Sequence, residues 1–170
     1  MLLSIGYITA RKEPRFDWFF HSLRNQLKHS DDVEIIIIDF FAQPCDGWTK
    51  DDVQRRHDQV EIASNGIENY IPLFWGPPKP TVWQGPKRLP RDNWWAASNA
   101  RNTVLCEVRG EWWAQLDDRS VLQPQWMQGV REAMRDNYAA CGPYEKRTGV
   151  TVEHGYIKNG GIVTGQDSRW

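Results

Sequence analysis

Hydrophobic residues at the start of the chain follow two different periodicities. Residues 2–8 form a short, apolar, β-prone run, and between residues 16 and 27 apolar side chains recur at the spacings of one helical face. Residues 33–38 form a nearly continuous β-branched run, which is typical of a strand covered on both faces of a parallel sheet. Strand, helix and strand in this order predict a βαβ unit with a right-handed crossover.

Weaker patterns predict the remaining elements. Helices are predicted over 54–62 and over 93–108, the latter ended by Gly110, and a third helix runs from Pro124 to about residue 135. A strand is predicted over 111–116, a further strand over 138–141, and a hairpin over 151–164 with its turn near Asn159. A loop rich in proline and glycine is predicted over 75–90.

Composition narrows the class of protein. The 170 residues carry a net charge of -1 and are 40% hydrophobic, which fits one globular domain and excludes a disordered chain or a globally basic nucleic-acid binder. No apolar run approaches the roughly 20 residues of a membrane span. Because Cys45, Cys106 and Cys141 are widely spaced, reduced thiols in a cytoplasmic protein are expected. The histidines show no metal-type spacing, and none is assigned a role.

Polar side chains follow three of the predicted strands: Thr9 and Arg11 after the first, Asp39 after the second, and Asp117 and Asp118 after the strand over 111–116. In an open parallel sheet these ends share one edge, where ligands bind. Adjacent carboxylates suit a hard cation such as Mg²⁺ or Mn²⁺, which offsets charge on a diphosphate leaving group. The alternative, that the aspartate pair starts a turn or caps a helix, fits the spacing equally well.

Two further residues are candidates for ligand contacts. Asp39 could accept hydrogen bonds from a nucleobase or ribose, and Arg101 could reach a phosphate with its bidentate guanidinium. Each has an alternative as a solvated residue at a strand end or on a helix surface. A locally basic stretch between Lys79 and Arg101 adds attraction for a phosphorylated ligand, although a solvated loop explains it nearly as well.

Three sequence segments together resemble a known family. Residues 96–102 (Ala-Ala-Ser-Asn-Ala-Arg-Asn), 110–118 (Gly-Glu-Trp-Trp-Ala-Gln-Leu-Asp-Asp) and 124–126 (Pro-Gln-Trp) resemble the motifs of inverting family 2 glycosyltransferases with the GT-A fold. The N-terminal strand, the Thr-x-Arg turn and the second strand ending at Asp39 are also similar to that family. Each motif is weak alone, but the combination is specific.

The resemblance implies an α/β fold of GT-A (Rossmann-like) type, with a mostly parallel sheet flanked by helices. It implies transfer of a sugar, with inversion, from a nucleotide-diphospho-sugar donor to an unknown acceptor, assisted by Mn²⁺ or Mg²⁺. The implied residue roles are these: Thr9, Arg11 and Asp39 face the nucleobase, Asn99 and Arg101 line the donor pocket, Asp117 contacts ribose or metal, and Asp118 is the main metal ligand.

The sequence departs from the family in three places. Arg119 stands where many members carry a third acid, the second strand ends in Asp39-Phe40-Phe41 instead of the usual Asp-Asp-Gly-Ser, and the chain ends at residue 170, before most of the acceptor-binding half. We therefore expect a truncated or naturally short protein, with a donor-binding core over 1–144 and a hairpin-like start of an acceptor region over 145–170. Asp167 is the candidate for the catalytic base; the alternative is that it is a residue of the C-terminal tail without a catalytic role. Apolar surface that the missing half would cover is expected to favour self-association.

Two other functions remain open. One is a donor-binding fragment without turnover, because the acceptor half is short. The other is a carbohydrate-binding module that uses some of the ten tryptophans, among them Trp75, Trp83, Trp94 and Trp95 in or near the irregular segment.

Overall fold

A computed structural model describes residues 2–28, 31–44, 47–67, 71–79, 96–139 and 147–162 of the chain. Strands and helices alternate through most of these residues. In chain order the elements are β1 (Leu3–Thr9), α1 (Phe16–Arg24), β2 (Val33–Asp39), α2 (Lys50–Ser64), β3 (Leu73–Gly76), α3 (Ala96–Glu107), β4 (Trp112–Asp117), α4 (Trp126–Asp136), β5 (Arg147–Glu153) and β6 (Tyr156–Ile162).

Four of the strands form one parallel sheet in the order β3-β2-β1-β4. In the register of this sheet, Thr9 at the end of β1 lies opposite Asp39 of β2, and Ile8 lies opposite Asp117 of β4. The predicted α/β fold, a parallel sheet flanked by helices, is confirmed and is compatible with a Rossmann-like arrangement. Chain order reverses at β1, since β2 and β3 lie to one side of it and β4 to the other. The gap between the ends of β1 and β4 is therefore a topological switch point.

Burial explains why β1 and β2 form the centre of the sheet. Every residue of both strands is buried, as the uninterrupted β-branched run of β2 predicts. Helix α3 packs against them with Ala100 and Val104, in a core cluster that includes Ile36 and Ile38. Gly6 permits this close approach, because an added Cβ there would lie 2.4 Å from Cγ1 of Val104.

The chain divides into two compact units, which we describe separately. Unit 1 comprises Met1–Asp17 and Lys28–Ser120, and unit 2 comprises Trp18–Leu27 and Val121–Trp170. Within unit 2, Ser22 Oγ accepts a hydrogen bond from the backbone N of Leu122 at 3.0 Å, and Gln26 Oε1 accepts one from Met127 N at 3.1 Å. The two-stranded antiparallel sheet β5-β6 also belongs to unit 2. The predicted boundary between residues 144 and 145 lies outside the described residues.

The hairpin is confirmed, but its predicted turn near Asn159 is wrong. The strands reverse at His154 and Gly155, whose φ angles of 51° and 82° match a two-residue type I′ turn. Gly155 is required there because an added Cβ would lie 2.6 Å from the backbone of His21. Asn159 lies inside β6, where its side-chain Oδ1 accepts a hydrogen bond from Thr151 N. The Asn-Gly-Gly segment that suggested a turn therefore lies within a strand, opposite a register shift between Thr148 and Thr151 of β5.

Other segments differ from the sequence-based prediction in extent. Helix α2 begins at Lys50, earlier than predicted, because Thr49 and Asp52 form a capping box. Strand β3 is not among the predicted elements, and the predicted loop over 75–90 begins inside it. Most of that loop lies outside the described residues. Tyr138 and Ala139, predicted to start a strand, have no regular secondary structure. Of the helices in the described ranges, none combines the length and apolar character needed to cross a bilayer.

Candidate functional site at the carboxyl edge of the sheet

The predicted site residues of unit 1 come from segments far apart in sequence, and the sheet brings several of them to one edge. Thr9 and Asp39 end neighbouring strands, and Asp117 ends β4 on the other side of β1. Asp118 follows at once, beside the switch point. Asp167, the predicted base, lies outside the described residues.

Asp118 is the most enclosed carboxylate at the switch point, with 8% of its side chain exposed. Its Oδ1 accepts a hydrogen bond from the Tyr7 hydroxyl at 3.0 Å, and the backbone N of Arg15 lies 3.5 Å away. Its Oδ2 lies 2.8 Å from Nε of Arg11. That oxygen is buried, and no group in the described part of the chain offers it a well-aligned hydrogen bond. The carboxylate is thus hydrogen-bonded through one oxygen and ion-paired with Arg11 through the other.

Tyr7 is a fixed hydrogen-bond donor to this carboxylate. Burial, followed by the nearby negative charge of Asp118, raises the pKa of Tyr7 far above its ordinary value. The phenol therefore stays protonated over the whole physiological range, and Asp118 always receives its hydrogen bond.

Asp117 is exposed, in contrast to its neighbour. One guanidinium nitrogen of Arg101, on α3, lies 3.0 Å from Oδ1 and 3.2 Å from Oδ2 of Asp117. Both side chains are largely solvent-accessible, at 42% for Arg101 and 63% for Asp117. An exposed pair of this kind is weakly held, so both groups are available to a ligand.

Asp39 lies in a buried ion pair. Its Oδ2 lies 2.7 Å from Nε of Arg56, its Oδ1 accepts from Phe41 N at 2.9 Å, and Trp75 Nε1 lies 3.4 Å away. Desolvation raises the pKa of Asp39, and the opposing effect of Arg56 only partly offsets it. Because its oxygens already have protein donors, direct contact with a nucleobase stays a prediction.

Arg56 is the residue of this region that sequence reasoning missed. Its side chain is 1% exposed, and it also donates to the carbonyl oxygens of Lys12, at 2.9 Å, and of Arg11. It therefore fastens the loop after β1, which carries Arg11, to the end of β2. The available signal was its spacing from Val60 and Ala63 on the buried face of an otherwise polar helix.

Thr9 and Asn99 have structural contacts in the described part of the chain. Thr9 is buried, and its Oγ1 accepts a hydrogen bond from Arg11 N at 3.2 Å. Asn99 Nδ2 donates to the carbonyl oxygen of Lys79 at 3.0 Å, and Thr103 Oγ1 accepts from Lys79 N at 2.9 Å. These bonds shape the loop after β1 and anchor the segment after β3, and ligand contact by either residue stays a prediction.

The residues at the switch point include carboxylates, the ligand type that a divalent cation such as Mg²⁺ prefers. Asp118 supplies a buried oxygen with no well-aligned donor among the described residues, and Asp117, the preceding residue, supplies an exposed carboxylate that pairs with Arg101. Hard cations prefer carboxylate oxygens, and water can complete their coordination. Arg11 and Arg101 add positive charge on either side, as an anionic ligand requires.

Comparison with known proteins identifies no relative. No protein-family model matches the chain, no curated protein is similar to it, and no solved structure matches it. A function for this chain therefore has to be argued from the geometry of the site and from its sequence motifs.

Proposed function

We propose that unit 1 binds a nucleotide-diphospho-sugar with Mn²⁺ or Mg²⁺ and that the protein is an inverting glycosyltransferase. The observation that carries the proposal is the position of Asp118 at the switch point, where it is ion-paired with Arg11 and has a buried oxygen with no well-aligned hydrogen-bond donor among the described residues. Ligands of open α/β sheets bind at this place in the fold. The resemblance of residues 96–102 and 110–118 to the glycosyltransferase motifs supports the same ligand class.

Asp118 is proposed as the main metal ligand and Asp117 as the second. A cation bound there would offset the negative charge that develops on the diphosphate leaving group. Tyr7 contributes by holding Asp118 in place through a hydrogen bond that does not titrate near neutral pH. Such orientation of a metal ligand raises metal affinity because the carboxylate need not be ordered on binding.

Arg11 and Arg101 are proposed to bind the phosphates. Each is at present paired with a carboxylate, Arg11 with Asp118 and Arg101 with Asp117. A cation bound to those carboxylates would neutralise them in place of the arginines, and both guanidinium groups would then be able to bind phosphate oxygens. Asp39 is proposed to contribute indirectly, because it pairs with Arg56, and Arg56 holds the loop that carries Arg11.

Turnover requires a base for the acceptor hydroxyl, and Asp167 keeps that proposed role. The second candidate function is donor binding without sugar transfer, which the residues at the switch point would support by themselves. A transfer assay with a radiolabelled donor sugar separates the two, because product on any acceptor demonstrates turnover.

Isothermal titration of UDP, GDP and their sugars, with and without Mn²⁺, tests the proposal. Asp118→Asn keeps an oxygen for Tyr7 but loses the charge, so we expect metal-dependent binding to fall by at least about tenfold. The melting temperature of the metal-free protein should change little. Asp136→Asn, at an exposed aspartate of α4, is the matched control and should bind as wild type. Absence of metal-dependent binding to every nucleotide tried would overturn the proposal.

A further inference from the structure

A second group of potential metal ligands lies on α2 and shares no residue with the proposed donor site. His57, Asp58 and Glu61 each offer one ligand atom, and these atoms all lie within 4.8 Å of one another. His57 and Glu61 are one helical turn apart, so both side chains project from the same face of the helix. None of the sequence-based site predictions involves His57.

The spacing of the ligand atoms suits a small divalent cation. Zinc binds imidazole and carboxylate at about 2.0–2.2 Å, so two ligands across a tetrahedral angle lie about 3.4 Å apart. Nδ1 of His57 lies 3.6 Å from Oε1 of Glu61. The two atoms are thus already close to coordination distance and need little movement to share one ion.

Neighbouring side chains hold two of these ligands in place. The imidazole of His57 packs edge-on against the ring of Trp75 on β3, with 5.2 Å between centroids. Gln54 Nε2 donates a hydrogen bond to Oδ1 of Asp58 at 2.9 Å, which leaves Oδ2 for another partner. Hydrogen-bonded support of a ligating carboxylate is typical of metal sites, where it fixes the ligand's orientation.

A cleft next to these residues gives space for the rest of the coordination shell. It has a volume of about 580 Å³, with His57, Glu61 and Ser64 of α2 on one side and Phe74 and Trp75 of β3 on the other. Both elements belong to unit 1. A site with three protein ligands keeps one position for water or for a ligand in the cleft, which distinguishes it from a closed structural site.

We propose that His57, Asp58 and Glu61 bind one transition-metal cation of the Zn²⁺ class at the rim of this cleft. A nitrogen ligand with two carboxylates favours such an ion over Mg²⁺ or Ca²⁺, which prefer all-oxygen shells. The site is independent of the hard-cation site proposed at Asp118, because it shares no residue with it and differs in ligand chemistry.

Titration with ZnCl₂ and CoCl₂ tests the proposal in the full chain carrying Asp118→Asn, which removes the other candidate site. We expect one bound equivalent, with affinity lowered at least about tenfold by His57→Gln and by Glu61→Gln, and lowered less by Gln54→Ala. The bound Co²⁺ should show d–d absorption without a thiolate-to-metal charge-transfer band, which excludes binding by cysteine. Zn²⁺ should also raise the melting temperature, with the logarithm of its free concentration once that exceeds the dissociation constant.

His154→Gln is the matched control, since His154 is exposed and also lies beside a glutamate, at 3.9 Å from Glu153. It should leave zinc affinity unchanged. Far-UV circular dichroism and the metal-free melting temperature verify that each α2 variant folds. Zinc affinity that is equal in wild type, His57→Gln and Glu61→Gln, or no stoichiometric binding at all, would overturn the proposal.

Discussion

Replacing Arg56 by methionine should destabilise the protein strongly, because it leaves the buried carboxylate of Asp39 without its counter-ion. The exposed fractions of the two side chains are 1% and 0%. Methionine fills much of the space of the arginine stem, so the loss is one of charge and hydrogen bonding, not of volume. The same change frees the carbonyl oxygens of Lys12 and Arg11, to which the guanidinium donates.

Removing one partner of a buried ion pair costs about 3–5 kcal/mol, because the remaining charge stays desolvated. The guanidinium also lies 5.4 Å from the ring centroid of Phe16 and 5.5 Å from that of Phe41, so favourable cation–π contacts are lost as well. For a chain of this size the expected fall in melting temperature is about 6–20 °C, at roughly 2–4 °C per kcal/mol.

Urea unfolding followed by circular dichroism measures the loss. The control is Arg55→Met on the adjacent position of α2, where the arginine is 70% exposed and pairs with Asp52 at the surface. Exposed pairs contribute little, so this variant should unfold close to the wild type. Both variants make the same change in helix propensity, and the difference between them therefore reports burial and pairing alone.

Adding Asp39→Asn to Arg56→Met should restore part of the stability, because the orphaned charge is then removed. Should Arg56→Met fail to fold, Arg56→Lys keeps a cation but loses the planar fork, and should give an intermediate loss. Two results would contradict this prediction. One is that Arg56→Met lowers the free energy of unfolding no more than Arg55→Met does. The other is that the losses from Arg56→Met and Asp39→Asn simply add in the double variant.

Two further predictions concern unit 1. Burial alone raises the pKa of Glu34, but hydrogen bonds from Ser4 and Arg109 outweigh it and hold the pKa below its usual value. Its contribution to stability is therefore complete above the unfolded pKa of about 4.3 and is lost as the pH falls through the lower folded value. Urea midpoints measured at about pH 6 and about pH 3 should therefore fall less for Glu34→Gln than for wild type, and an equal fall would contradict this. Gly6→Ala should lower the free energy of unfolding by about 1–3 kcal/mol, because its Cβ would lie 2.4 Å from Cγ1 of Val104. In urea unfolding, the double variant Gly6→Ala with Val104→Ala should lose less stability than the sum of the two single losses, because the smaller side chain removes the clash. Strictly additive losses would contradict the clash.

Local patterns predicted the elements that are most apolar and most regular. The β-branched run of β2 and the spacing of apolar residues in α1 depend only on near neighbours in sequence, so both elements were placed correctly. Strand β3 is short and half-exposed, and it is a strand because its backbone pairs with Ile35–Ile38 of β2. Its four residues are too few to show a periodicity from which that pairing could be predicted.

In the candidate site, too, some features could be predicted from the sequence and others could not. The shared edge of Thr9, Asp39, Asp117 and Asp118 was predictable, because parallel strands align their carboxyl ends. The partners of these side chains were not. Tyr7 and Asp118 are 111 positions apart, and their contact depends on the register of β1 with β4.

Local patterns were enough to locate the strands and helices near the sheet centre and the polar residues at their ends. Which of those polar groups are accessible to a ligand depends on the folded chain as a whole. The fold buries Asp39 against Arg56, exposes Asp117, encloses Asp118 and sets His57 beside Trp75. This difference arises because periodicity reflects burial along one element, whereas desolvation and ion pairing depend on which groups other elements bring within a few ångströms.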